Sequence, residues 1–292
     1  LREALTLNVV QGVGDVFWVY QKFAPHVRRL DLNVMVTVKP GEEPNYTVQT
    51  RALPFISLFP KVGSVTVETV PSERYAKTAK GIFRMADILY RDGPSDYACN
   101  RSLELGVRLE EIDPNLEVEE CVALPEEDAP VPAEPYLLVF VSQSASMKIA
   151  PEYGVWSVES WARMLRILRE EGVFPWPVVL TGAHYDRPTL EALADTVERD
   201  GAERPALLID LPPKQVINMI RRAGFFIGHQ SGLNVLAENV GTRQLMLYMK
   251  PLWRMVHAWC GKRSVATGVY RADLFSRTPL DVAMGLKEAF GG

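Results

Sequence analysis

The stretch Phe225-Phe226-Ile227-Gly228-His229-Gln230-Ser231-Gly232-Leu233-Asn234-Val235-Leu236-Ala237-Glu238 sets small polar residues between an apolar run and a segment whose apolar residues resume at helical spacing. That order predicts a buried strand feeding a helix. The first turn of such a helix directs N–H groups without intrahelical acceptors outward, over the positive end of the helix dipole, so a phosphate can bind there. Gly232 allows an anion to approach the backbone, and Ser231 either caps the helix or donates its hydroxyl to the anion. Leu233, Leu236, Ala237 and Val240 are expected to face the core. The chemistry indicated is the binding of an anion, a nucleotide diphosphate before others; an ordinary Ser-Gly helix cap is the alternative.

Three further loops offer polar groups where strands end. Gln11-Gly12-Val13-Gly14-Asp15 follows the first apolar strand and opens a helix, so Asp15 either caps that helix or takes a proton from an attacking hydroxyl. The third glycine of a dinucleotide fingerprint is missing, which disfavours an NAD enzyme. On the following segment Trp18, Lys22, His26 and Arg29 recur at helical spacing, as a polar-aromatic stripe or a solvated face. Ser142-Gln143-Ser144-Ala145-Ser146-Met147-Lys148 supplies hydroxyls and an ammonium that suit a phosphate cradle, without the order of a P-loop. Thr181-Gly182-Ala183-His184-Tyr185-Asp186 can hold a nucleobase or ribose through backbone groups and Tyr185. That several such loops coincide strengthens the anion-site reading.

The elements that must position these loops alternate. Strands are expected at Leu5–Val10, Leu32–Val38 and Ser64–Val70, with helices at Val16–Leu30, Thr78–Leu89 and Asn100–Leu109. A second series has strands at Tyr136–Val141, Pro177–Leu180, Ala206–Ile209, Gly224–Ile227 and Gln244–Tyr248, with helices at Val158–Glu171, Thr189–Arg199, Pro213–Arg222 and Ser231–Val240. Each series predicts an α/β domain built on a parallel, doubly wound sheet, with ligands beyond the carboxyl ends of the strands. Between them, Pro125 to Pro135 holds four prolines and four acids in eleven residues, expected as a stiff, solvated linker. The domain boundaries are therefore 1–124, linker 125–135, 136–277, and an amphipathic helix within 278–292 at Pro279–Phe290.

The 292 residues, 47% of them hydrophobic, suffice for two cores and exclude a disordered chain. No apolar run reaches the roughly 18 residues of a membrane span, and no signal peptide is apparent, so a cytoplasmic protein without membrane insertion is expected. Cys99, Cys121 and Cys260 are odd in number and widely spaced, as reduced thiols are, and the four histidines lack metal-ligand spacing, so no metal is expected. Residues 1–134 carry 14 Lys+Arg against 21 Asp+Glu, whereas the remainder carries 18 against 15. Between Glu238 and Asp273 no acid occurs, while Arg243, Lys250, Arg254, Lys262, Arg263 and Arg271 do. Such a field attracts phosphate, whether of a nucleotide or of a nucleic acid.

On these residues the chain resembles the heptosyltransferase family, glycosyltransferase family 9-like enzymes of the GT-B architecture that invert configuration. Gly12-Val13-Gly14-Asp15 looks like that family's first loop. Ser142–Lys148 with Trp156 and Trp161 is similar to its phosphate-binding segment, Val178–Gly182 to its Val-Val-Leu-Thr-Gly strand end, and Asp210–Gly232 to its approach to the donor diphosphate. Gln230 stands where the family's Gly-His-Asp-Ser-Gly has aspartate, a departure that points away from an ADP-heptose donor. Met249-Lys250-Pro251-Leu252-Trp253 replaces its Phe-Gly motif. Asn100–Glu110 and Lys250–Trp259 are similar to a divergent branch found in tailed phages and viral metagenomes.

The resemblance implies two Rossmann-like domains, an N-terminal one for the acceptor and a C-terminal one for the donor, with the last helix crossing back to the first domain. It implies a metal-independent transfer from a nucleotide sugar, a UDP-sugar among the candidates, with no other cofactor. Asp15 is then the general base. Ser142, Ser144, Lys148, Ser231, Gly232 and Leu233 hold the diphosphate; Gln230, Thr181, Gly182, Tyr185 and Glu238 meet the sugar or nucleoside; Gly14, Trp18, Lys22, Lys250, Trp253 and Arg254 meet the acceptor. The phage-like branch, with cations and aromatics interleaved at Lys250, Trp253, Arg254, Trp259, Lys262 and Arg263, leans the acceptor toward 5-hydroxymethylpyrimidine in DNA, although the acidic first half repels a duplex unless Lys22, His26, Arg28 and Arg29 face the cleft. The alternatives are a lipopolysaccharide or other saccharide acceptor and a sugar-nucleotide-binding protein without turnover.

Overall fold

The computed structural model describes residues 2–10, 12–36, 52–74, 122–133, 135–141, 156–229, 231–248, 269–273 and 278–290. They form two compact units that divide between Pro125 and Glu126.

In the first unit, β1 (Arg2–Val10), β2 (Val27–Val36) and β3 (Val62–Thr69) lie parallel in that order, with α1 (Val13–Phe23) and a short helix α2 (Leu53–Ile56) between them in sequence. Leu7 pairs with Leu32 and Leu32 with Val65, which aligns the apolar residues of alternate positions across the sheet. Leu7, Val9, Leu30, Leu32 and Val34 are buried, as are Val16, Phe17, Tyr20 and Phe23 of α1. The rings of Phe17 and Tyr20 meet Phe59 at 5.8 and 5.0 Å. On the other face the intervening polar residues bond across all three strands: Asn33 Nδ2 donates to Asn8 Oδ1 at 3.0 Å and to Glu68 Oε2 at 2.6 Å.

The helix expected over Val16–Leu30 is shorter than its periodicity suggests. It ends at Phe23, a 3-10 turn spans Ala24–His26, and β2 begins at Val27. Pro25 has no N–H with which to continue the α-helical ladder, and Leu30, Leu32 and Val34 alternate as a strand requires. Trp18 and Lys22 therefore sit on α1, His26 in the turn and Arg29 on β2. The four residues thus do not share one helix. The helices expected at Thr78–Leu89 and Asn100–Leu109 lie outside the described residues.

The second unit contains β4 (Leu137–Phe140), α3 (Val158–Glu170), β5 (Val178–Gly182), α4 (Arg187–Arg199), β6 (Ala206–Ile209), α5 (Pro213–Arg222), β7 (Phe225–His229), α6 (Gly232–Val240), β8 (Gln244–Tyr248), β9 (Val269–Asp273) and α7 (Pro279–Phe290). Its six strands are all parallel in the order β6-β5-β4-β7-β8-β9. This is the doubly wound order, whose sense reverses between β4 and β7. β9 was not expected: Val269-Tyr270-Arg271-Ala272-Asp273 lacks the apolar run of an interior parallel strand, and it occupies an edge. The core gathers Leu137, Val139, Leu180, Phe225, Ile227 and Leu245 from the sheet with Trp161, Leu165, Leu190 and Leu193 from α3 and α4. α7 packs on α3 of the same unit, adding Val282, Ala283 and Leu286 to that core, and Lys287 pairs with Glu171.

The acidic stretch expected as a solvated linker lies instead along α5. Glu126 pairs with Arg221 and accepts from Asn218, Glu127 pairs with Lys214 at 2.7 Å, and the Ala129 N–H donates to Asn218 Oδ1 at 3.2 Å. The prolines keep the segment extended while its acids meet the basic face of that helix.

Candidate functional site

The strand order reverses between β4 and β7, the point at which doubly wound sheets take ligands beyond the carboxyl ends of their strands, and α6 starts there. All five residues of β7 are buried. A Cβ on Gly228 would stand 2.9 Å from the Phe226 ring and 3.3 Å from Phe140 Cβ, so only glycine lets β7 lie this close to its packing partners. His229 ends the strand fully buried, its ring edge-on to Trp161 at 5.2 Å, and Trp161 meets Trp156 at 5.5 Å in the same manner. Burial pushes the His229 imidazole down to a pKa of about 4, so it is neutral at pH 7.

Ser231 is the N-cap of α6 in extended conformation, and its side chain accepts no N–H of the first turn. Its Oγ donates instead to Asn234 Oδ1 at 3.0 Å. Asn234 Nδ2 donates to Gln244 Oε1, and Gln244 Nε2 returns a bond to the Asn234 carbonyl, both at 2.9 Å. Asn234 and Gln244 are fully buried, so this network anchors the start of α6 to the start of β8. The Gly232 and Leu233 amides belong to the first helical turn and have no intrahelical acceptors. They are the groups with which this helix can meet an anion. The core face of α6 differs from the one expected: Val235, Leu236 and Ala237 are buried, while Leu233 and Val240 are half-buried.

At the end of β5, Thr181 is buried and its Oγ1 donates to the Leu208 carbonyl at 2.9 Å, so the hydroxyl serves the sheet. Gly182 is half-buried, and Tyr185 meets the His184 ring edge-on at 5.2 Å. Asp186 is buried, with Oδ2 accepting the Ala183 N–H at 3.0 Å. Glu238 lies inside α6's packing, 5% exposed. In the first unit, Gly14 is buried in the first turn of α1, and Asp15, Trp18 and Lys22 lie on the same helix. Ser142, Ser144, Lys148, Gln230, Lys250, Trp253 and Arg254 lie outside the described residues. Among the described residues no cluster of three His, Cys, Asp or Glu side chains could hold a metal, and no helix is long and apolar enough to cross a membrane.

Three residues of this region escaped the sequence reading. Asn234 and Gln244 are polar residues inside apolar patterns, which is the signal that could have marked them. Asp210 follows the apolar run of β6 and has φ 59°, a left-handed conformation, with its Oδ1 accepting the His184 N–H at 2.8 Å.

Residues 98–262 match the model of glycosyltransferase family 9 (heptosyltransferase). The chain belongs to that family. It is a glycosyltransferase with a GT-B-like fold of two Rossmann-like parallel-sheet units. Family 9 likenesses extend over nearly the whole chain. The Escherichia coli ADP-heptose lipopolysaccharide heptosyltransferase II superposes with a TM-score of 0.61 at 13% identity, covering 99% of this chain and 98% of that one. A family 9 enzyme of Veillonella parvula DSM 2008 gives 0.57 at 10% identity, covering 99% and 98%. The E. coli heptosyltransferase WaaC with ADP gives 0.54 at 15% identity, covering 97% and 99%. No curated protein matches the sequence.

These findings overturn the leaning toward hydroxymethylpyrimidine in DNA as acceptor. The family model is that of heptosyltransferases, and each of the three structural likenesses is a heptosyltransferase or a family 9 enzyme. The basic cluster invoked for the duplex also dissolves in the first unit. Arg28 and Arg29 stand on β2 rather than on the helix of Lys22, paired with Glu3 at 3.5 Å and Asp31 at 2.9 Å.

Proposed function

We propose that this glycosyltransferase transfers a sugar from a nucleotide-sugar donor to a hydroxyl of a saccharide acceptor, of the lipopolysaccharide type named for one of its structural likenesses. The uncapped first turn of α6 at the reversal of the second sheet carries this reading. The second unit takes the donor and the first the acceptor. Asp15 removes the proton of the acceptor hydroxyl; the oxygen attacks the anomeric carbon; the bond from that carbon to the diphosphate oxygen breaks, with inversion. The leaving diphosphate gathers negative charge where the Gly232 and Leu233 amides and Lys148 receive it, which replaces the charge stabilisation a divalent cation supplies elsewhere. Ser142 and Ser144 add hydroxyl donors, and Gln230 meets the donor sugar.

The test is incubation of the protein with ADP-, GDP- and UDP-sugars and truncated lipooligosaccharides. Mass spectrometry of the acceptor and release of the nucleoside diphosphate are the readouts. The expected result is one glycosyl mass gain per diphosphate released. Diphosphate binding without release in the presence of every acceptor would overturn the reading in favour of a protein without turnover.

A further inference from the structure

The ends of β5 and β6 carry a side-chain pair that the phosphate site leaves unused. β6 stops at Ile209, and Asp210 turns the chain at φ 59°, a region aspartate tolerates better than most residues. Its N–H donates to the Gly182 carbonyl at 3.0 Å and its Oδ1 accepts the His184 N–H at 2.8 Å, so the carboxylate is fixed to the turn after β5. His184 Nδ1 stands 3.7 Å from the same oxygen. The pair is open to solvent, the His184 and Asp210 side chains being 55% and 48% exposed, and among the described residues Oδ2 has no partner. Asp186 does the opposite: it is 1% exposed and closes on the Ala183 N–H. Among the described residues Asp210 is thus an exposed carboxylate at this edge of the sheet.

β6 stands three places from β7 in the order β6-β5-β4-β7, or about 14 Å at ordinary strand spacing. For a diphosphate seated on α6 with its nucleoside directed toward β6, that distance suits the base rather than the ribose. A carboxylate accepts and cannot donate, so it is best matched by adjacent N–H groups with no lone pair beside them. Guanine presents N1–H and the 2-amino group side by side. Uracil's N3–H lies between two carbonyls, and adenine's amino group lies beside the N1 lone pair; both bring repulsion to a fixed carboxylate. We infer that Asp210, held by His184, is a specificity-determining residue that selects a guanine nucleotide as the donor's leaving group. The inference rests on the nucleotide-sugar reading above.

Calorimetric titration of the whole chain with GDP, IDP, ADP and UDP, as wild type and as Asp210→Asn, tests it. GDP is expected to bind roughly 10- to 100-fold more tightly than ADP or UDP, the range of charge-assisted hydrogen bonds. IDP, which lacks the 2-amino group, should fall between them, and the Asn variant should erase the gap between GDP and IDP. The comparison of GDP with IDP on the wild-type protein stands even if the variant does not fold. ADP or UDP binding as tightly as GDP, or equal affinity for GDP and IDP, overturns the inference and leaves the nucleotide-sugar reading intact. Failure of all four to bind overturns that reading, and the inference with it.

Discussion

Asp15 and His229 carry separate burdens, and each can be probed alone. As the proposed general base, Asp15 acts only on the acceptor's proton. Asp15→Asn is therefore expected to lower kcat by roughly 10²- to 10⁴-fold, the usual reach of general-base catalysis, while nucleoside diphosphate affinity measured by calorimetry stays unchanged. His229 titrates near pH 6.5 in the unfolded chain and near 4 in the folded one. Above pH 6.5 both states are neutral and the residue contributes no pH dependence. Between 6.5 and 4 the unfolded chain binds a proton that the folded chain refuses, so stability falls as pH falls. The loss should reach up to about 3 kcal/mol across that window, and His229→Asn should flatten the dependence in urea denaturation curves recorded from pH 7 to 4.

At the scale of elements, the start of α6 is held by what lies under it rather than by a cap. Ser231, Asn234 and Gln244 form one hydrogen-bonded chain between α6 and β8. Asn234→Ala takes the donor from the buried Gln244 Oε1 while the bond from Gln244 Nε2 to the residue 234 carbonyl stays, at a cost of about 1–3 kcal/mol. The same variant should also weaken nucleoside diphosphate binding, because the Gly232 and Leu233 amides lose their fixed orientation; calorimetry and denaturation on one preparation check both. The last helix belongs to the same structural economy. Leu286 is buried where α7 meets the core built on α3, so Leu286→Ala should cost about 2–5 kcal/mol of stability in the second unit.

For the whole molecule, much of the charge among the described residues is met by local pairs. The acidic stretch that opens the second unit lies on the basic side of α5, through Glu126 with Arg221 and Glu127 with Lys214. Within the first unit, Arg28 and Arg29 each meet an acid. Leaving-group charge is proposed to be met by helix amides and a lysine, so initial rates of transfer should be the same with and without EDTA. A chelator-dependent loss of rate restored by magnesium would require a metal in the donor complex.

The strand-helix alternation, the parallel sheet and the start of a helix after Ser231 were legible in the residues themselves. Their signals are local: apolar runs of strand length, helical spacing, and small polar residues at the junction. β6 and α5 fall at the residues their pattern marks, Ala206–Ile209 and Pro213–Arg222. Periodicity failed where a local breaker interrupted it or where the deciding constraint came from elsewhere in the chain. Pro25 cut α1 short against a periodicity that continued past it, and β9 is a strand only because β8 offers it an edge. Whether Ser231 capped its helix depended on Asn234 lying within reach, which in turn depended on Gln244 from the next strand. Residue types and spacing determined most of the elements and marked Ser231–Leu233 as the proposed anion site. Strand order, the reversal between β4 and β7, the burial of His229 and the exposed carboxylate of Asp210 came only from tertiary structure, because each depends on which distant segment packs alongside.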